Sequence, residues 1–410
     1  MRHPTTLGTI AAYTPDLAPC LFGTSGRGEG SYFVQPTYKL GLIQFINQGD
    51  GRAVNIASRW LPITALFVFS LGGDASAQVG LTKPELPVCQ VIATGGTIAM
   101  KIDPVKNAPV PALSGEDLLA GVPELSKVAR VRVENVFNVP SPHIDLEQWV
   151  TLQKAVAGTL ASGEVSGVVI THGTDTLEET AYFLDLTVSS DKPVVLLGAQ
   201  RNASEWDSDG NRNLLNATRL CVSPEARGRG VMIAMNGQIN AAREATKTHT
   251  SDVETFKSGD FGFLGVVDQD RVVFSRASGK RQHIALEGVP LPRVDIVAMY
   301  AGADGAMLRA AVAAGCKGIV VQALGRGNVN PALYDAVKEA IGKGVVVVIS
   351  TRVPNGRVLP VYGYPGGGAT LKEAGAVFAD NLSPEKARIL LMLALQDTSK
   401  PSEIQRLFDR

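Results

Sequence analysis

Residues 167–180 read G-V-V-I-T-H-G-T-D-T-L-E-E-T, and this stretch decides the fold. Its apolar run predicts a buried strand, and Glu178 and Glu179 follow in the first turn of a helix, where negative charge suits the helix dipole. The polar turn places Thr174 and Asp175 at the carboxyl end of the strand, where open α/β sheets bind ligands. A well-capped turn without a ligand fits the same pattern, so the rest of the chain must separate the two interpretations.

The composition is that of an ordinary globular protein. The chain has 410 residues, 45% of them hydrophobic, and a formal net charge of zero. Without a basic excess or a charge block we expect no nucleic-acid or membrane partner, which leaves metabolites and other proteins. The four cysteines have no short paired spacing, so they form no metal-ligand or redox motif. We predict that Cys89 and Cys221 are small buried hydrophobic residues rather than bridges.

Residues 1–77 differ from the rest of the chain. Two arginines precede an apolar run at 61–71, which is too short for a stable membrane anchor, and A-S-A follows at 75–77. This layout predicts a secretory signal that is cut after residue 77, and so a periplasmic or secreted mature chain of residues 78–410. Its distance from the first methionine favours initiation near Val54. The alternative is a disordered extension ahead of a buried helix.

Short strands alternate with helical patterns along the mature chain. We predict an N-terminal α/β domain at 78–287 with a mostly parallel sheet and helices on both faces, followed by a smaller C-terminal α/β domain at 288–410. Residues 266–274 depart from the alternation and predict a hairpin. The predicted parallel strands cover residues 87–93, 168–170, 193–197, 231–235, 294–298, 318–321 and 345–349.

Local signals predict where two helices begin. Ser114 with Asp117, and Asp145 with Gln148, have the spacing of a capping box. Residues 101–115 contain three prolines and few apolar residues, which predicts a mobile loop ahead of the first of these helices.

A second polar turn follows the first predicted strand, as T-G-G-T at 94–97. Consecutive glycines allow a tight turn and close approach of the backbone to a ligand, and their N–H groups are suited to an oxyanion. The turn lacks the lysine of a phosphate loop and the G-x-G-x-x-G spacing, so a nucleotide site is a poor fit.

A threonine hydroxyl is a weak nucleophile that needs a neighbouring base or charge network. A lysine in a partly dry site can supply one. We therefore predict a proton-handling set of Thr174, Asp175 and Lys192, which faces Thr97 from the other turn. The alternative for Lys192 is a solvated lysine ahead of a buried strand. We predict a structural role for His172.

Residues 93–99 (A-T-G-G-T-I-A) and 170–176 (I-T-H-G-T-D-T) together resemble both signatures of the bacterial-type (type II) L-asparaginase/glutaminase family. Further blocks look familiar along the mature chain, among them T-K-T-x-T-S-D-V from residue 246 and P-x-K-A-R from residue 384. The resemblance implies an amidohydrolase that splits the side-chain amide of L-asparagine into L-aspartate and ammonia, with L-glutamine as a candidate second substrate.

The resemblance also implies roles for single residues. Thr97 would be the nucleophile, and Thr174 the second catalytic threonine, supported by Lys192 and Asp175. Asp175 would also bind the substrate α-amino group.

The substrate-binding serine of the family would be Ser141, and the backbone of Ala199 would lie beside the leaving amide. The family uses no metal or cofactor. It forms homotetramers, as dimers of tight dimers, in which the partner's C-terminal domain completes each site.

The chain departs from the family pattern at several positions. Residues 100–115 lack the tyrosine that the family carries in its flexible loop, so we predict a substitute group from residues 101–111 or a lid residue from elsewhere. Two further functions stay open, namely a related amidase for another small amide and a periplasmic amino-acid binding protein without turnover. The other departures are Pro142, Ser190, Gln200, Asn202 and Gly302.

Overall fold

The computed structural model describes residues 85–279 and 281–409. The predicted secretory signal, its cleavage site and the proposed start near Val54 lie outside these residues. No helix in the described ranges is long and apolar enough to cross a bilayer.

The strands belong to a large N-terminal sheet, a smaller C-terminal sheet and two short hairpins. In chain order the strands are β1 (Val88–Gly95), β2 (Met100–Asp103), β3 (Ala108–Pro111), β4 (Arg130–Val139), β5 (Gly167–Thr171), β6 (Val194–Leu197), β7 (Val231–Met235), β8 (Gln238–Ala241), β9 (Thr246–Lys247), β10 (Phe256–Lys257), β11 (Gly265–Val267), β12 (Val272–Phe274), β13 (Val294–Ala298), β14 (Gly318–Ala323), β15 (Val346–Thr351) and β16 (Val377–Phe378).

The α-helices connect the strands and cover the sheets. In chain order they are α1 (Gly115–Ala120), α2 (Leu146–Ala161), α3 (Leu177–Thr187), α4 (Gly210–Val222), α5 (Ala306–Ala313), α6 (Pro331–Gly342), α7 (Gly368–Glu373), α8 (Pro384–Ala394) and α9 (Pro401–Phe408).

The large sheet has the strand order β12-β11-β8-β7-β6-β5-β1-β4. The five neighbouring strands β7, β6, β5, β1 and β4 are parallel to one another. At the other end of the sheet, β8 pairs antiparallel with β7, β11 with β8, and β12 with β11. The smaller sheet, β13-β14-β15-β16, is parallel throughout. The predicted fold class, a larger mostly parallel sheet domain followed by a smaller α/β domain, is therefore confirmed.

Both faces of the large sheet are buried. Successive side chains of a strand point to opposite faces, and both sets of side chains on β5 lie in a hydrophobic core. On β5, Val168 and Ile170 belong to one core cluster together with residues of α2 and α3, and Val169 belongs to another together with residues of α4. Cys89 and Cys221 are buried without a disulfide, as expected, and their Sγ atoms lie 2.7 Å apart.

Both predicted capping boxes are present. The Ser114 hydroxyl accepts from the backbone of Asp117, whose carboxylate accepts from the backbone of Ser114. Asp145 and Gln148 make the same reciprocal pair at the start of α2. The hairpin predicted at 266–274 is also confirmed, as β11 and β12.

The mobile loop predicted at 101–115 contains regular structure, since β2 and β3 form an antiparallel hairpin there. The Asp103 carboxylate closes its turn by accepting from the backbone of Val105 and Lys106, and Asn107 has a positive φ of 48°. Pro109 and Pro111 occupy β3, a strand of this two-stranded ribbon that pairs on one side, where a missing N–H is tolerated, and Pro104 lies in the turn.

Candidate functional site

The site lies at the carboxyl edge of the large sheet. The parallel strands β6, β5, β1 and β4 are neighbours, so the segments that follow them converge on one edge. The Gly96 N–H donates to the Val139 carbonyl over 3.1 Å, and the Thr94 hydroxyl donates to the Thr171 carbonyl over 2.7 Å. These bonds hold the ends of β1, β4 and β5 together, and with them the turns that carry the candidate residues.

The two threonine turns touch each other directly. Gly96 has φ 82°, and a Cβ built on it would lie 2.2 Å from the backbone nitrogen of Gly173. Because Gly96 precedes Thr97 and Gly173 precedes Thr174, the two threonines extend from touching backbones. The structure thus brings together the two polar turns that follow β1 and β5 in the sequence.

This contact makes alanine at Gly96 a severe change. We expect Gly96→Ala to lower the free energy of unfolding by ~1–3 kcal/mol for its backbone conformation, with φ 82° and ψ −178°, and by a further ~1–3 kcal/mol for the overlap with Gly173. The matched control is Gly163→Ala, because Gly163 has φ 77° but no atom near its built Cβ. Urea unfolding of both variants measures the difference. Equal losses would contradict the close approach of the two turns.

Thr174 is the centre of a polar cluster. Lys247 Nζ donates to Thr174 Oγ1 over 2.9 Å and to Asp175 Oδ1 over 2.6 Å. The Thr174 hydroxyl donates to Gln200 Oε1 over 2.9 Å. Thr174 is 5% exposed, whereas the Asp175 side chain is 60% exposed. The threonine is therefore enclosed, and the carboxylate is accessible to a ligand.

Lys192 does not join this cluster, so the prediction of its catalytic position is wrong. It precedes β6 and so lies at the amino edge of the sheet, opposite the site. Its Nζ donates to the carbonyl of Leu160 over 3.0 Å. The lysine of the cluster is Lys247 on β9, in the T-K-T block from residue 246.

Ser141 and Ala199 lie at the same edge. A Cβ built on Gly173 would meet Ser141 Oγ at 2.6 Å, and the Ser141 carbonyl accepts from the Thr176 hydroxyl over 3.0 Å. Ala199 is fully buried, and its neighbour Gly198 packs against Thr174 Cγ2. Thr97, Thr174, Asp175, Ser141 and Ala199 therefore gather in one region.

Gln200 is a site residue that the sequence analysis recorded only as a departure. The Asp209 carboxylate accepts from the backbone N–H of Gln200 over 3.0 Å and of Arg201 over 3.0 Å, which fixes the loop. Gln200 Nε2 is buried and has no hydrogen-bond partner among the described residues. The side chain therefore has a donor available beside Thr174.

His172 forms part of a buried polar chain behind the site. Its Nδ1 donates to the Gly173 carbonyl over 2.7 Å, so Nε2 is the acceptor of the Thr180 hydroxyl at 2.9 Å. Thr180 Oγ1 in turn accepts from Trp149 Nε1 over 2.9 Å. These bonds support the structural role predicted for His172, since both ring nitrogens are engaged away from Thr174.

Burial lowers the pKa of His172 to about 4, against 6.5 for an exposed histidine, and the bond to Gly173 opposes this shift. Because the folded-state pKa is the lower one, the unfolded state binds the proton more readily. The contribution of His172 to stability is therefore complete above pH ~6.5 and declines as the pH falls toward 4.

The parent chain should lose free energy of unfolding as the pH falls from ~6.5 to ~4. We expect this loss to be smaller by about 3 kcal/mol in His172→Gln, which has no imidazole to protonate. Urea unfolding at fixed protein concentration across this range measures the change. The control is His143→Gln at an exposed position, which should follow the parent curve. An unchanged slope in His172→Gln would contradict the neutral, buried imidazole.

Among the described residues, no group of three or more His, Cys, Asp or Glu side chains is placed to hold a metal ion. The cluster around Thr174 instead combines two threonine turns, one ammonium and one carboxylate. This set is suited to nucleophilic attack and proton transfer.

Comparisons with known proteins identify the family of the chain. The model of the family "Asparaginase, N-terminal" matches residues 89–279, and that of the "Glutaminase/Asparaginase C-terminal domain" matches residues 293–408. The chain is 41% identical to L-asparaginase 2 of Bacillus subtilis (strain 168), over 80% of this chain and 87% of the relative. It is 40% identical to the probable periplasmic L-asparaginase of Haemophilus influenzae, over 79% and 93% of the two chains.

A solved structure is similar over the same region. The crystal structure of a probable cytoplasmic L-asparaginase from Campylobacter jejuni superposes with a TM-score of 0.74 at 40% identity. The match covers 79% of this chain and 99% of that one.

Proposed function

The chain belongs to the asparaginase family of amidohydrolases, and on this premise we propose that it hydrolyses the side-chain amide of L-asparagine to L-aspartate and ammonia, with L-glutamine as a second substrate. The observation that carries the proposal is the contact between the two threonine turns, with the Lys247 ammonium joined to both Thr174 and Asp175. A hydroxyl beside an ammonium can transfer protons during a reaction. An amino-acid binding protein without turnover does not require such a pair.

In the proposed reaction Thr97 is the nucleophile. Its oxygen bonds to the amide carbon while the carbonyl electrons move to the oxygen, and its proton passes to the enzyme. Collapse of the tetrahedral intermediate breaks the C–N bond, and the nitrogen leaves as ammonia with a proton. Water then attacks the aspartyl ester, which releases aspartate and restores the Thr97 hydroxyl.

The remaining residues support these steps. Thr174 and Lys247 hold the proton that moves between nucleophile and leaving group, and Gln200 orients the Thr174 hydroxyl. The exposed Asp175 carboxylate is suited to the substrate α-ammonium group. The N–H groups of the glycine turn after β1 are candidates to stabilise the oxyanion.

The test is ammonia release from L-asparagine and L-glutamine by the parent chain and by Thr174→Ala. We expect the parent to be active and the variant to lose ~10²–10⁴-fold in kcat, as removal of a proton-transfer group does. If the parent is inactive on both amides, the proposal fails. Tight binding of asparagine by calorimetry without ammonia would then favour an amino-acid binding protein, and activity on another small amide would favour a related amidase.

We also propose that the enzyme is exported and tetrameric. The signal pattern that ends at residue 77 supports export, and one relative is named periplasmic, although the similar solved structure is of a protein called cytoplasmic. The exposed apolar side chains of Tyr300, Met307 and Tyr364 support the tetramer, because contact with another subunit would remove them from water. An N-terminus other than about Gln78 in the exported protein would refute the export proposal, and a monomer by sedimentation would refute the tetramer.

A further inference from the structure

Lys386 on α8 is a buried cation that the proposed reaction does not use. The residue is 2% exposed and lies in the first turn of its helix, where a positive charge is unfavourable. Burying an ammonium is costly unless it is paired and hydrogen-bonded. Its partners should therefore explain why it occupies this position.

All three partners of Lys386 lie in the region that the N-terminal family model matches, residues 89–279. Its Nζ donates to the carbonyl of Arg243 over 3.1 Å and to that of Ala245 over a shorter distance. It also pairs with Glu178 Oε2 on α3 at 3.7 Å. Burial lowers the pKa of Lys386, and the Glu178 carboxylate opposes that shift.

The same contacts lead directly to Lys247. Ala245 is two residues before it, and Glu178 Oε1 accepts from the backbone N–H of Lys247 over 3.1 Å. Both carboxylate oxygens of Glu178 also accept from the Thr246 hydroxyl at 2.8 Å. The backbone on both sides of Thr246 is thus held by the ammonium of Lys386 and by the carboxylate that it pairs with.

We propose that Lys386 is a positioning residue of the site. It fixes the backbone of residues 243–247, both directly and through Glu178, so that the Lys247 ammonium reaches Thr174 and Asp175. The region matched by the C-terminal family model, residues 293–408, thereby contributes one buried cation to the proposed catalytic centre of the same chain. This inference rests on the proposed amide hydrolysis.

The test compares Lys386→Met with Arg388→Met. Arg388 is a second cation of α8, but its Nε donates to the Val294 carbonyl, which is on β13 of the smaller sheet. We measure kcat and KM for ammonia release from asparagine, normalised to folded enzyme by circular dichroism. We expect Lys386→Met to lower kcat ~10–100-fold, in the range that misplacement by about 1 Å produces, with little change in KM. Arg388→Met should keep kcat within about twofold, since the Arg388 hydrogen bond goes to β13 and not to residues 243–247.

Two further variants test the role of the Lys386 charge and of its ion pair with Glu178. Lys386→Arg retains the charge and should recover part of the lost kcat. Glu178→Gln keeps an acceptor for Lys247 but removes the ion pair, and it should lower kcat without affecting KM even if Lys386→Met does not fold. The proposal is overturned if Glu178→Gln and the folded Lys386 variants keep the parent kcat, or if Arg388→Met loses as much as Lys386→Met. An inactive parent chain would instead refute the proposed function.

Discussion

Replacement of Thr97 by alanine is expected to remove asparagine hydrolysis almost completely, with kcat lowered by about 10³-fold or more, as for other enzymes that lose their nucleophile. The expectation follows from the position of Thr97, half-buried and directly after the glycine that touches Gly173. Steady-state ammonia release measures kcat. Asparagine binding should persist, because Asp175 and Ser141 are unchanged.

The matched variant is Thr97→Ser, which retains the hydroxyl and should keep measurable turnover. Comparable inactivity of the alanine and serine variants would indicate that the threonine is needed for its shape and not for its oxygen. Full activity of Thr97→Ala would exclude it as the nucleophile.

Replacement of Lys247 by methionine is expected to lower kcat by ~10²–10⁴-fold, since it removes the ammonium that contacts Thr174 and Asp175. Methionine keeps the unbranched stem, so the packing around the 17% exposed side chain changes little. Ammonia release at saturating asparagine measures kcat directly.

Lys192→Met is the control for this experiment. Lys192 donates to Leu160 at the opposite edge of the sheet, so its loss should leave kcat within about twofold of the parent, as is usual for sites that share no partners. The opposite result, an inactive Lys192→Met and an active Lys247→Met, would contradict the geometry of the site.

The strand-turn-helix segments of this chain could be predicted because their signals are local. The apolar run of β5, the polar turn and the acidic helix start are contiguous in residues 167–180. Parallel pairing then places the turns after β1 and β5 at one edge, so Thr97 and Thr174 could be proposed together. The 10-residue β4, by contrast, was missed, although its apolar and polar residues alternate in R-V-R-V-E at its start.

The lysine that we propose as catalytic could not be predicted from strand order alone. Lys247 is 73 residues from Thr174 and lies on a two-residue strand outside the large sheet, where neither periodicity nor capping indicates direction. Lys192 is near a strand in the sequence, but it precedes β6, and a residue that precedes a parallel strand lies at the edge away from the site. Side-chain contacts such as that of Gln200 with Thr174 likewise depend on tertiary packing.

The most direct test of the account is to identify the covalent intermediate. The enzyme is quenched in acid during turnover of asparagine, and its peptides are analysed by mass spectrometry. We expect an aspartyl ester on the peptide that contains Thr97, and none in Thr97→Ala. An ester on the peptide that contains Thr174, with Thr97 unmodified, would contradict it.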